Sequence, residues 1–148
     1  MPLRHDPLVA AEGFRLVLAA RREHDAAEIA GKSDGSAIYV RADVTDPARL
    51  EKLAVTAFEH LGRIDTVVNL AGISPRKPIE DYTLSDVDDL LAINVKGPIF
   101  VTQAFLPGLR KQASDGVIVH IGGAMDGRVA LPFMSAYAAT RGALASYV

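Results

Sequence analysis

The sequence predicts an α/β fold in which a parallel sheet carries helices on its faces, and three observations lead there. Short apolar runs rich in Val, Ile and Leu alternate with longer segments of helical period. Each run is apolar throughout, as in strands covered on both faces. With 49% hydrophobic residues among 148 and a mean hydropathy of +0.18, the chain has apolar material for one domain with a core, which excludes a disordered chain.

Four strands are predicted: Arg15 to Ala20 (RLVLAA), Ala37 to Arg41 (AIYVR), Thr66 to Leu70 (TVVNL) and Val117 to Ile121 (VIVHI). Between the second and third, Thr45, Asp46 and Pro47 offer an N-cap and a first-turn proline. Leu50, Leu53, Ala54, Ala57, Phe58 and Leu61 then form one apolar helical stripe, ended by Gly62. A second helix starts near Thr83 with Asp86 in capping register, carries Val87, Leu90, Leu91, Val95 and Ile99, and runs to about Gln112. A third begins around Met134 and continues to Val148. Gly31 to Gly35 and Ile73 to Glu80 read as loops, the latter with Pro75 and Pro78. There is no internal repeat and no low-complexity segment.

Composition excludes several function classes. A net charge of -2 and a pI near 6.1 leave no basic field to hold a phosphate backbone, so no nucleic-acid partner is expected. With no cysteine, disulfides, thiolate nucleophiles and Cys-ligated metals fall away together. His5, His24, His60 and His120 are scattered without a pair at ligand spacing, so no metal is expected, and His120 reads as a packed strand side chain. Apolar runs fall short of the roughly 18 residues that span a bilayer, and Arg4, His5, Asp6 and Glu12 interrupt the apolar patches that a signal peptide would need. The expectation is a cytoplasmic protein without a membrane partner.

In a parallel sheet the strands point their carboxyl ends one way, and ligands sit in the crevice outside those ends. The residues there are Ala20, Arg21 and Arg22; Asp43 and Val44; Asn69, Leu70, Ala71 and Gly72; and Gly122 and Gly123. Each cluster is also what a strand end uses simply to turn. Asn94 falls on the apolar face of its helix, three and four residues after Leu91 and Leu90, where a buried amide needs partners. Pro98 has no N–H to offer the Asn94 carbonyl, and Gly97 softens the same turn. Tyr137 and Arg141 are i and i+4, so a cation shares a helix face with a phenol and favours its ionised form.

The pieces LVLAARRE, ADVTD, VNLAG, INVKG and SAYAATRGAL, in this order and spacing, resemble the short-chain dehydrogenase/reductase family from about Ala10 to Val148. The resemblance implies a Rossmann-like doubly wound parallel sheet, and NAD(P)-dependent interconversion of an alcohol and a carbonyl compound. It makes Tyr137 the proton donor, Arg141 its cationic neighbour, and Asn94 the residue at a helix kink that holds a water in a proton relay. It lays Asp43 and Val44 against adenine and lets the backbone of Asn69, Ala71 and Gly72 approach the cofactor. Arg21, with Arg22 beside it, stands where NAD-preferring members tend to carry an acid, and a guanidinium forks onto a ribose 2′-phosphate; NADP is expected over NAD. A homo-oligomer through the helices near 85–112 and 134–148 is also implied.

Three departures qualify these expectations. The family's first strand and glycine-rich turn would precede LVAAEG, where Met1 to Pro7 contain no glycine, so the sheet is expected to be incomplete and the pyrophosphate weakly held. The strands flanking that gap would be separated or forced to pair. The position matching the catalytic serine is Ala124, or Gly123 if the loop is one residue longer, and neither has a hydroxyl. The lysine of the family pattern is Arg141, which keeps the charge but cannot release its proton. The reading is a truncated or diverged oxidoreductase of impaired activity. The alternatives are a non-catalytic interaction module or an incomplete fragment.

Overall fold

A computed structural model describes residues 12–22, 30–31, 35–123, 129 and 131–147. Strand β1 (Leu16–Ala20) pairs in parallel with β2 (Ala37–Arg41), Leu16 opposite Ala37 and Ala20 opposite Arg41. Strand β3 (Thr66–Asn69) pairs in parallel with β4 (Val117–His120), Thr66 opposite Val117. Among the described residues these are two separate two-stranded sheets, so β1 and β3 are separated and do not pair. The strands are shorter than the sequence suggests: Arg15, Leu70 and Ile121 lie just outside them, where pairing stops. The expected glycine-free stretch Met1 to Pro7 and the end of the last helix at Val148 lie outside the described residues.

The helices form where caps and stripes predict them. Helix α1 (Pro47–Leu61) has Asp46 as N-cap, its carboxylate accepting from the Arg49 N–H at 3.2 Å. It buries Leu50, Leu53, Ala54 and Ala57, and ends where Gly62, at φ 77°, donates its N–H to the Phe58 carbonyl. Helix α2 (Leu84–Leu91) opens with a capping box: the Asp86 N–H donates to the Thr83 hydroxyl oxygen, and the Thr83 N–H to the Asp86 carboxylate.

The single helix expected from Thr83 to Gln112 is interrupted. A π-helical turn (Ala92–Lys96) separates α2 from α3 (Gly97–Lys111), and the Gly97 N–H reaches back five residues to the Ala92 carbonyl. Pro98 lacks the N–H that an unbroken α-ladder needs, so the helix continues by admitting one wider turn. Taken together, Leu84–Lys111 runs 28 residues with mean hydropathy 1.3 over its most apolar stretch, long and apolar enough by length and composition alone to cross a membrane, although its apolar runs are broken by residues such as Lys96. It packs against α1 and against α4 (Ser135–Tyr147), as a core helix does. Two smaller corrections concern loops. Gly31 is helical, and Ile79–Asp81 forms a 3₁₀ turn within the stretch read as loop up to Glu80.

One core serves both sheets. Leu50, Leu53, Ala54, Ala57, Val101, Phe105 and Leu109 are buried between α1 and α3, with Val17 of β1, Val40 of β2, Val67 of β3 and Ile118 of β4 packed against them. Burial of that apolar area is what holds the two sheets side by side under one helical layer.

Candidate active site

Two neighbourhoods collect the residues that carry chemistry, and both lie at carboxyl ends of strands. The first is a cavity of about 350 Å³ beyond β1 and β2, lined by Arg21, Arg41, Ala42, Asp43, Thr45, Asp46 and Arg49. Asp43 closes a tight turn: its carboxylate accepts from the Thr45 N–H at 3.0 Å and from the Thr45 hydroxyl at 2.8 Å. Burial pushes the Asp43 carboxyl up, but those two bonds, with the Arg21 and Arg49 guanidiniums, outweigh it and hold the group below its ordinary range. Arg49 is paired with Asp46 at 3.0 Å. Arg21 and Arg41 have no ion pair of that kind among the described residues, so two guanidinium forks are available to an anion.

The second neighbourhood is buried and lies where β3, the π turn and α4 meet. Asn94 is 0% exposed, and its amide bridges two segments: Nδ2 donates to the Ile73 carbonyl at 2.9 Å and to the Thr140 hydroxyl at 3.1 Å, while Oδ1 accepts from the Ile73 N–H at 2.9 Å. Arg141 is 6% exposed and stacks on Tyr137, its guanidinium carbon 4.8 Å from the ring centroid. One of its N–H groups reaches the Ile121 carbonyl at 3.4 Å, and its Nε has no partner among the described residues. Gly72 makes room for this: a Cβ there would lie 2.5 Å from Arg141 Nη2 and 3.4 Å from Asn94 Oδ1. Gly123 does the same at the end of β4, where φ is 148° and a Cβ would stand 3.4 Å from the Tyr137 hydroxyl.

Around Asn69 the hydrogen bonds run in one direction. The Thr102 hydroxyl donates to the Pro98 carbonyl at 3.1 Å, so its oxygen must accept from His120 Nε2, also 3.1 Å away. His120 Nδ1 then accepts from the Asn69 amide at 3.3 Å, and Asn69 Oδ1 accepts from the Ala71 N–H at 3.2 Å. This fixes the neutral tautomer of His120, and burial pushes its pKa below the ordinary imidazole value.

The structure thus brings together Asn94, Gly72, Tyr137 and Arg141, and separately Arg21 and Asp43. It does not bring Arg22 to the cavity. Val44 is half-buried and packs against the core, within 2.8 Å of where a Gly97 Cβ would be, and it does not line the Arg21 cavity. Asn69 is buried and engaged with His120 and Ala71, which leaves its side chain structural. Arg141 meets the face of the phenol ring rather than its hydroxyl. Ala124 lies outside the described residues, and Gly123 is the position beside the phenol oxygen.

Sequence reasoning missed Arg41, Arg49, Thr140 and Thr102. Arg41 was legible as the residue two before Asp43, on the same side of an extended chain. Thr140 was legible as i+3 from Tyr137 on one helix face. Arg49 and Thr102 carried no signal beyond helical spacing. Among the described residues there is no group of His, Asp or Glu able to hold a metal ion.

Comparison with known proteins covers nearly the whole chain. Residues 7–148 match the family described as short chain dehydrogenase. Dehydrogenase/reductase SDR family member 7B of Mus musculus is 37% identical over 93% of this chain and 44% of its own length. A solved short-chain dehydrogenase from Streptomyces avermitilis superposes with a TM-score of 0.85 at 30% identity, covering 97% of this chain and 54% of the other. An alcohol dehydrogenase from the archaeon Thermococcus sibiricus, solved with 5-hydroxy-NADP, shares the fold with a TM-score of 0.83 at 24% identity, over 96% of this chain and 61% of that one. The chain spans about half the length of the curated relatives it matches.

Proposed function

The chain belongs to the short-chain dehydrogenase family of oxidoreductases, and from that premise we propose that it interconverts an alcohol and a carbonyl compound using NADP in preference to NAD. The observation that carries the reading is the convergence of Gly72, Asn94, Tyr137 and Arg141 beside the ends of β3 and β4. The Arg21 cavity opens at the ends of β1 and β2, and the helical crossover through α1 puts both sets of strand ends on one rim. The relative solved with 5-hydroxy-NADP supports a nicotinamide dinucleotide.

The residues present fit the phosphorylated adenosine end of such a cofactor. Arg21 and Arg41 offer forks for a 2′-phosphate, and the carboxylate of Asp43, kept ionised, accepts hydrogen bonds at the cavity wall. When bound, NADPH supplies the hydride. Tyr137 is the proton donor to the carbonyl oxygen, from a hydroxyl that stands over the Gly123 backbone. Arg141 keeps a positive charge on the ring without passing a proton on, and Asn94 is a positioning residue that clamps the Gly72–Ile73 backbone to α4. No hydroxyl accompanies the phenol at Gly123, and loss of one group that stabilises developing charge costs about 100 to 1,000-fold in rate. Slow turnover follows for residues 1–148 taken alone.

That same glycine favours a second reading, a non-catalytic member of the family. Self-association through α2, α3 and α4, where Leu84, Leu91 and Tyr147 are exposed, belongs to both readings. So does a cytoplasmic location. NADPH oxidation across a panel of carbonyl compounds separates the readings. Slow turnover that disappears in Tyr137→Phe is expected, and turnover indifferent to Tyr137→Phe refutes the assignment of the proton donor.

A further inference from the structure

His120 is the polar residue in the apolar run VIVHI, and it ends β4 opposite the last residue of β3, Asn69. Three elements meet its ring. Asn69 of β3 donates from Nδ2 to His120 Nδ1 at 3.3 Å, Thr102 of α3 accepts from Nε2 at 3.1 Å, and the Tyr147 phenol ring of α4 stands edge-on at 5.9 Å. Charged groups on those elements are few. Strand β3 has none, α3 carries Arg110 and Lys111 two turns beyond Thr102, and α4 carries Arg141, which is bonded to the carbonyl of the next residue, Ile121. A proton arriving on His120 therefore finds no carboxylate on β3, α3 or α4 to receive it.

The Asn69 amide is held at both ends. Its Oδ1 accepts from the Ala71 N–H at 3.2 Å while its Nδ2 donates to His120, so a single orientation serves both contacts. The Thr102 hydroxyl is committed to the Pro98 carbonyl, which keeps the His120 hydrogen on Nε2 and leaves Nδ1 as the atom that takes up a proton. A hydrogen there faces the Asn69 N–H, donor against donor. Half a turn of the amide restores that bond, and the same half turn aims Nδ2 at the Ala71 N–H, which then has lost its acceptor. We propose that the Asn69 amide is a two-position relay through which protonation of His120 releases the Ala71 N–H and loosens the Ala71–Gly72 backbone, making His120 a positioning residue for that segment. One consequence rests on the proposed cofactor site: the loosened backbone is the segment that approaches the cofactor there, so affinity falls with pH. Burial opposes the charged imidazole, which puts the change below the ordinary histidine value near 6.5.

An NMR titration of the chain from about pH 7.5 to about pH 5 follows both ends of the relay at once. The Ala71 amide proton is expected to move upfield, as loss of a hydrogen bond requires, with the same midpoint as the His120 ring. Asn69→Asp offers an acceptor to both neighbours, so His120 should still titrate, at a raised midpoint, while the Ala71 displacement falls at least about threefold. In His120→Gln, a second variant should Asn69→Asp not fold, the Ala71 proton is expected to hold still. The proposal is overturned if Ala71 stays still while His120 titrates, if its displacement persists in either variant, or if His120 takes no proton before the chain unfolds. Calorimetric titration with NADP reads the consequence: affinity should fall at least about fivefold more from about pH 7.5 to about pH 5.5 in the unmodified chain than in His120→Gln, titration of the 2′-phosphate being common to both. Equal falls overturn the coupling to the cofactor. Absence of NADP binding at both pH values refutes the cofactor site itself, and the Ala71 proton then decides the relay alone.

Discussion

The cavity at the ends of β1 and β2 and the cluster under Gly72 handle charge in opposite ways. In the cavity, Arg21, Arg41 and Arg49 are exposed and Asp43 and Asp46 half-buried; Arg49 and Asp46 are paired with each other, and Arg21 and Arg41 have no ion-pair partner among the described residues. Under Gly72, one guanidinium is 6% exposed and faces an aromatic ring, with no ion pair among the described residues, and both side-chain polar atoms of Asn94 are engaged with backbone or hydroxyl. On the proposed function, the difference separates the region that would select a ligand from the one that holds the fold. Solvated charges contribute little to stability but discriminate between ligands, whereas removing one member of a buried polar network leaves its partners dry and unbonded.

Substitutions break or sharpen that contrast, and the largest effect is expected at Asn94. Asn94→Leu strands the N–H and carbonyl of Ile73 and leaves the Thr140 hydroxyl only its bond to the Tyr137 carbonyl, and should cost about 3 kcal/mol in urea unfolding. A cost within about 0.5 kcal/mol would show that the amide is not the clamp described. Next comes Gly72→Ala, whose Cβ displaces the Arg141 guanidinium. The expected cost is about 2 kcal/mol, with Arg141→Ala restoring part of it in the double variant.

A third expectation concerns pH. The folded pKa of His120 lies below its unfolded value near 6.5. The unfolded chain therefore binds the proton more readily, so the stability this group confers is complete above about pH 6.5 and is lost as pH falls through the folded value. Unfolding at pH 7.5 and 5.5 should show the unmodified chain losing more than His120→Gln; equal losses would remove His120 from the relay with Asn69 and Thr102. The smallest stability effects belong to the cavity, where Arg21→Ala and Arg41→Ala are expected to move unfolding by less than about 0.5 kcal/mol.

The contrast also explains what was legible. Caps and stripes are local, so Asp46, Gly62 and the Thr83–Asp86 box announce helix ends by spacing alone, and the apolar runs announce strands. Arg21 and Asp43 could be named because a strand end exposes whatever follows it. The π turn could not, since Pro98 says only that an N–H is missing, and whether the helix ends, bends or widens depends on the Ile73 and Thr140 contacts that hold Asn94. The direction of Val44 was not legible for the same reason: a residue at a strand end turns inward or outward according to what packs there, and here Gly97 leaves a hollow for it. The direction of the Arg141 guanidinium likewise depends on Gly72, 69 positions away in sequence and adjacent in space.

The central claim is that the solvated arginines select the cofactor while the buried cluster does not. Calorimetric titration of the chain with NADP and with NAD, repeated on Arg21→Ala, measures it directly. Binding weaker than about 1 µM is expected, with NADP ahead of NAD and the difference abolished in Arg21→Ala at an unchanged unfolding midpoint. A preference for NAD, or a preference for NADP that survives Arg21→Ala, would contradict the account.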